Sequence, residues 1–183
     1  MLATIDNDIQ MNCRSKVMAT IGLSLATAQL HARDLLENVT RDALRMVACI
    51  RALDEPCAQS MTYTKFLEDR GVSRAQLDQK VADVYQSLRS IGATYSSFDL
   101  SAPWQQFSLN KLTYAFVPYS YRLLARGETT QVQAFFIGVS EDSGSTWKFM
   151  DGVSITPDNI DLILPGFHGG MLPPKSLTQS SAK

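Results

Sequence analysis

Histidine and cysteine supply most catalytic and metal-binding chemistry, and this chain contains few of either: His31 and His168, with Cys13, Cys49 and Cys57. None stands in CxxC or HxxxH spacing, so the donors of a zinc site are missing, and neither a metal nor a cofactor is expected. A serine nucleophile would need a histidine held beside it. His168 sits among glycines, and no G-x-S-x-G elbow, P-loop or dinucleotide fingerprint occurs. A paired-carboxylate site stays open, because any two acidic residues can converge in space, although most lie where a helix face or a turn would leave them solvated. The residues best suited to line a pocket are Tyr114, Phe116 and Arg122, which alternate along one face of a stretch from Leu112 to Leu124, with Tyr119 and Tyr121 on the other. Apolar character selects the Leu112, Tyr114, Phe116 and Leu124 face as the inner one and puts Arg122 at the rim as an anion contact. The plainer reading makes the aromatics core filling and the arginine solvated.

The segment Ser140-Glu141-Asp142-Ser143-Gly144-Ser145-Thr146-Trp147 fits S-x-D-x-G-x-T-W. In this pattern Ser140 and Asp142 can bind backbone amides, Gly144 supplies a permissive backbone and Trp147 anchors the turn by burial. It resembles the Asp box of sialidase-like propellers, where the motif recurs from blade to blade away from the active site. Here it occurs once, in a chain too short for four or more four-stranded blades, so the expectation is a structural turn. Cys49 and Cys57 either pair, closing a short loop beside Pro56, or leave Cys49 as a small buried apolar residue.

These side chains need elements to hold them. Leu36, Val39, Ala43, Met46, Val47, Ile50 and Leu53 recur at helical spacing, which predicts an amphipathic helix over 33–53 ended by Asp54-Glu55-Pro56. A short helix is predicted over 62–70, stopped by Gly71. Ser73 and Gln76 form a capping box, and Leu77, Val81, Val84, Leu88 and Ile91 predict a helix that stops at Gly92. Beyond Gly92 the period becomes two, predicting strands near 94–100, 106–109, 112–125, 130–140 and 145–151, with Arg126-Gly127-Glu128 and Asp142-Ser143-Gly144 as hairpin signals. Pro118 predicts a bulge or an edge. Thr156-Pro157-Asp158 predicts a last helix to about residue 164.

The expected fold is therefore α+β, with N-terminal helices packed on a curved antiparallel sheet of four to five strands. The element order over residues 33–167, Phe116-Val117-Pro118-Tyr119 in a long strand and the closing hairpin at 140–152 resemble the cystatin-like or nuclear transport factor 2-like architecture of small exported bacterial proteins. The resemblance implies a concave sheet with room for a ligand. Enzymes of that kind carry a His/Asp or Asp/Tyr arrangement inside the cone.

Arg14 and Lys16 precede an apolar run from Val17 to Ala28 that ends Ala26-Thr27-Ala28, the order of a secretory signal. The run is shorter than the roughly 20 residues of a span, and Asp6 and Asp8 favour Met11 as the start. Residues 1–28 are thus expected to be a signal peptide, 29–167 one domain and 168–183 a flexible tail, in a periplasmic or secreted protein with no stable membrane span after cleavage. The alternatives are a cytoplasmic protein with residues 17–30 in a core helix, or an uncleaved anchor. Of 183 residues, 45% are apolar, enough for a core, while 19% are charged with a net charge of −1, which offers no basic field for nucleic acid. The expected function is a non-enzymatic binding or interaction module, its partner unspecified, with a homodimer through the sheet as one arrangement. Two alternatives are a small hydrolase or isomerase using an acid in the cone, and an immunity or inhibitor protein acting through hairpin loops.

Overall fold

The computed structural model describes residues 34–167 and 170–181. The segment expected to be a signal peptide, Met11, Cys13, His31 and His168 lie outside them. One compact unit runs from Asn38 to Lys183, and residues 34–37 fall in another. The architecture is α+β: helices come first, then an open antiparallel sheet.

Helix α1 covers residues 34–51. Within the unit it buries Val39, Ala43, Met46, Val47 and Cys49 along one stripe, as its spacing predicts. Leu53 closes it in the left-handed region at φ 50°. Asp54 and Pro56 do end that helix, but they also begin α2 (Glu55–Met61): Asp54 accepts the amide of Cys57 at 3.1 Å as N-cap, and proline fits the first helical turn. The single helix expected over 62–70 is instead an extended pair, Thr62 and Tyr63, followed by the short α3 (Lys65–Glu68). Tyr63 donates its amide to the Phe149 carbonyl, so this stretch runs alongside the sheet and has no backbone to spare for a helix. α4 (Arg74–Ser90) starts at the predicted Ser73–Gln76 capping box and ends before Gly92, whose φ is 64°.

The strands are β1 (Thr94–Leu100), β2 (Gln105–Leu109), β3 (Leu112–Ala125), β4 (Glu128–Ser140), β5 (Lys148–Asp151) and β6 (Ser176–Ser181). β3 and β4 form the long central pair; β1 and β2 share the free side of β3, and β5 and β6 share the free side of β4. β6 lies in the segment expected to be a flexible tail. Alternating Leu177 and Gln179 among serines and threonine suit a strand, and Lys175 anchors its start on the carbonyls of Val153 and Ile155. Arg126 and Gly127 both take positive φ between β3 and β4, and Asn110 and Lys111 do so between β2 and β3, the type I′ geometry of tight hairpins.

Pro118 neither bulges β3 nor stands at an edge: its register with Phe135 is uninterrupted. Its carbonyl accepts the Ser101 amide in the gap where β1 ends and β2 has not begun. The missing N–H therefore falls where no ladder bond is needed. The expected helix after Thr156 is only a 3-10 turn, Ile160–Leu162. The Asn159 side chain accepts the Thr156 amide at 2.7 Å and donates to the Ser154 carbonyl at 3.0 Å, which fixes the turn that leads into it.

The two sheet faces have different covers. Tyr114, Phe116, Phe135, Ile137, Val139 and Met150 share one face and form a core with Tyr63, Ile155, Ile160 and Leu164. Ala115, Val117, Tyr119, Tyr121, Phe136, Gly138 and Phe149 share the other, and α1, α2 and α4 pack there. The helices thus lie against the Tyr119 and Tyr121 face, the reverse of the expectation. The hydrophobicity of Tyr114 and Phe116 is satisfied by the segment after β5, which the period-two pattern could not foresee.

Candidate functional site

Between α4 and the sheet lies a cleft of about 400 Å³. Its helical walls are Met46 and Ile50 of α1, Ala58 of α2, and Val81, Val84, Tyr85 and Leu88 of α4; its floor is Tyr95, Phe136, Phe149 and Asp151. The seam on α4 runs Leu77, Val81, Tyr85 and Leu88, with Tyr85 buried and Val84 57% exposed at the mouth. The sequence pattern had used Val84 in that seam and passed over Tyr85, because a tyrosine four residues after a valine reads as apolar only when its body is counted and its hydroxyl set aside.

Behind the floor, aromatic rings continue along the same face. Tyr119 packs on Phe136 with centroids 4.4 Å apart, and Phe98 stacks on Tyr121 at 5.3 Å, which in turn meets the edge of Tyr95 at 5.3 Å. The Tyr119 hydroxyl donates to Asp151 Oδ1 at 2.8 Å, and the Val153 amide donates to the same oxygen at 2.9 Å. Burial, then the Asp151 charge, push the Tyr119 hydroxyl well above the usual range. Tyr95 is raised by burial and then by Tyr121, Tyr85 and Asp151. Tyr85 is pushed up to about 12 by burial and Asp54, against the opposing charge of Arg89. All three are therefore neutral hydrogen-bond donors at ordinary pH.

A larger groove, about 650 Å³, runs beside α3 and is lined by Tyr63, Thr64, Lys65, Arg74 and Glu141 among others. Some of its polar groups serve one another. Glu141 takes Tyr63 at 3.3 Å and Lys65 at 3.2 Å, while Arg74 donates to Thr64 at 2.8 Å. Asp69 and Lys148 line it as well, so it is polar and charged where the cleft beside α4 is mainly apolar.

The pocket expected from Tyr114, Phe116 and Arg122 does not form. Tyr114 and Phe116 are packed against Phe107 and Phe167, and Arg122 is exposed farther down β3 beside Ser97, Asp99, Ser120 and Gln131. The segment that resembles an Asp box forms a hydrogen-bonded turn. Ser140 Oγ accepts the Gly144 amide at 2.7 Å, Asp142 accepts the Thr146 amide at 2.9 Å and its hydroxyl at 2.7 Å, and Trp147 donates its ring N–H to Gly144 O at 3.0 Å. Sequence reasoning missed its clamp, Asp42. That carboxylate, 3% exposed, accepts the Trp147 amide at 3.0 Å and Arg41 at 2.8 Å, so α1 grips the turn. An aspartate one step from Ala43 inside an apolar stripe was the available signal. Cys49 and Cys57 come within disulfide range, Cα atoms 5.5 Å apart, joining the walls to which Ile50 and Ala58 belong.

Among the described residues, no group of histidine, cysteine and carboxylate side chains is placed to hold a metal ion, and no helix is long and apolar enough to cross a membrane. Compared with known proteins, the chain matches no family model, no curated protein and no solved structure.

Proposed function

We propose that this chain is a non-enzymatic binding module, exported to the periplasm or beyond, that holds a small and largely apolar molecule in the cleft between α4 and the sheet. The observation that carries the reading is the cleft wall itself: aliphatic and aromatic side chains from three helices and three strands enclose about 400 Å³, with Asp151 and Lys80 as its charged members. Ligand pockets have this composition, apolar lining with few polar groups to set orientation. The cysteine pair at disulfide range supports an oxidising compartment. A helix-covered, ligand-holding sheet is also what the nuclear transport factor 2-like resemblance implies.

The Tyr119–Asp151 pair favours one second reading, a hydrolase or isomerase with Asp151 as base. Weighing against it, Asp151 Oδ1 already accepts two donors and the nearby tyrosines hold their protons.

Nile red, a neutral dye that brightens in apolar surroundings, tests the proposal. Wild type should bind it saturably at one site, and Val84→Trp, which adds bulk at the exposed mouth, should weaken binding at least tenfold with an unchanged melting temperature. No saturable binding, or equal binding by Val84→Trp, contradicts it.

A further inference from the structure

We infer that the cleft selects organic cations, an apolar body carrying an ammonium or comparable head, over anions of the same body. The inference rests on the cleft being a ligand site at all. Its basis is the juxtaposition of one positioned carboxylate with aromatic faces. Asp151 lines the cleft at the end of β5, and Tyr119 and Val153 hold its Oδ1 from behind. Both donors are on Oδ1, which leaves Oδ2 to receive a cationic head. Tyr95 and Phe136 line the same space, and ring faces attract cations through their quadrupole; Tyr85 lines it too, but the Arg89 guanidinium already lies over that ring, 6.0 Å from its centroid. Asp151 lies near enough to Tyr95, and Asp54 near enough to Tyr85, for their negative charges to act on those hydroxyls, with Arg89 opposing at Tyr85.

Two cations oppose these charges. Arg89 is engaged with Glu55 at 3.5 Å and with the Leu53 carbonyl at 3.0 Å. Lys80 lines the cleft from α4 and is exposed. Strongly hydrated ammonium groups on flexible stems stay in water more readily than a carboxylate fixed by two hydrogen bonds leaves its place. Lys80 therefore lowers the preference without reversing it.

Displacement of Nile red by decyltrimethylammonium, decanol and decanoate, each below its aggregation limit, reads the preference directly. Because Asp151 is exposed, the cation should displace the dye at about one third of the decanoate concentration, the scale of one solvent-accessible cation–π contact. Asp151→Asn, which keeps the acceptor for Tyr119, should bring that ratio close to one, and Lys80→Met should enlarge it. A wild-type preference for decanoate, equal displacement by all three probes, or a ratio unchanged in Asp151→Asn overturns the inference while leaving the cleft as a ligand site. Failure of every probe and of the dye itself removes the site, and the inference with it.

Discussion

Asp142 and Asp42 hold the turn after β4 from opposite sides, and they should respond differently to mutation. Asp142 is exposed and organises the turn from within. Asp42 is buried, and its removal strands both the Trp147 amide and its own arginine contact. Asp42→Ala is expected to lower stability by about 1–3 kcal/mol, the cost of a buried donor left unpaired, and Asp142→Ala by less. Because both act on one turn, urea unfolding of the double variant should show a loss different from the sum of the two. Asp142 also sets a pH dependence. The Thr146 amide first, then the Thr146 and Ser140 hydroxyls, hold its carboxyl down to about 2 from 3.8. A depressed folded value means that its contribution is complete above the unfolded value and fades as pH falls toward the folded one. Urea midpoints of wild type and Asp142→Asn should therefore converge between about pH 4 and pH 2. Gly152 has a separate role: a Cβ there would lie 2.5 Å from the Phe135 ring and 2.6 Å from its carbonyl oxygen. Gly152→Ala should cost about 1–3 kcal/mol in the same assay, the range for overpacking a closed site.

The elements divide into those whose local sequence is sufficient and those that depend on a neighbour. α4 and its capping box, the Arg126-Gly127 hairpin and the change of period at Gly92 could be read in advance because each rests on local backbone chemistry. The face of β3 that meets the helices could not, since Tyr114 and Phe116 are as apolar as Tyr119 and Tyr121. What decides it is the segment after β5, which covers the first pair. The cleft was hidden for the same reason: Tyr85 and Tyr95 come from the consecutive elements α4 and β1, but Asp151 comes from β5 at the far end of the sheet's sequence. β6 was passed over because serine and threonine among exposed positions resemble a tail as much as a strand. Its side chains from Ser176 to Ser180 are exposed, so hydrogen exchange should release β6 amides and their partners at Glu128–Gln133 well before those at Ala134–Ser140. At the other end of the domain, replacing Cys49 with Ala and Cys57 with Ser should cost at most about 2.5 kcal/mol, the chain-entropy value for so short a loop.

Taken as one molecule, the domain is a two-faced sheet with unequal covers. On one face a dense core of aromatic and branched side chains closes under the 152–175 segment, and on the other three helices leave space above Phe136 and Phe149. The other face has a groove of its own, about 640 Å³ and lined by Ile155, Ile160 and Met171 among others, so the two faces offer competing sites, of which the helical one is the proposed site. The direct test is a methyl-resolved NMR titration of the protein with decyltrimethylammonium. The methyl groups of Met46, Ile50, Val81 and Val84 should shift together and saturate, while those of Ile137, Val139, Ile155 and Ile160 stay in place. Shifts confined to the second set, or none in the first at saturating probe, would contradict the cleft as the binding site.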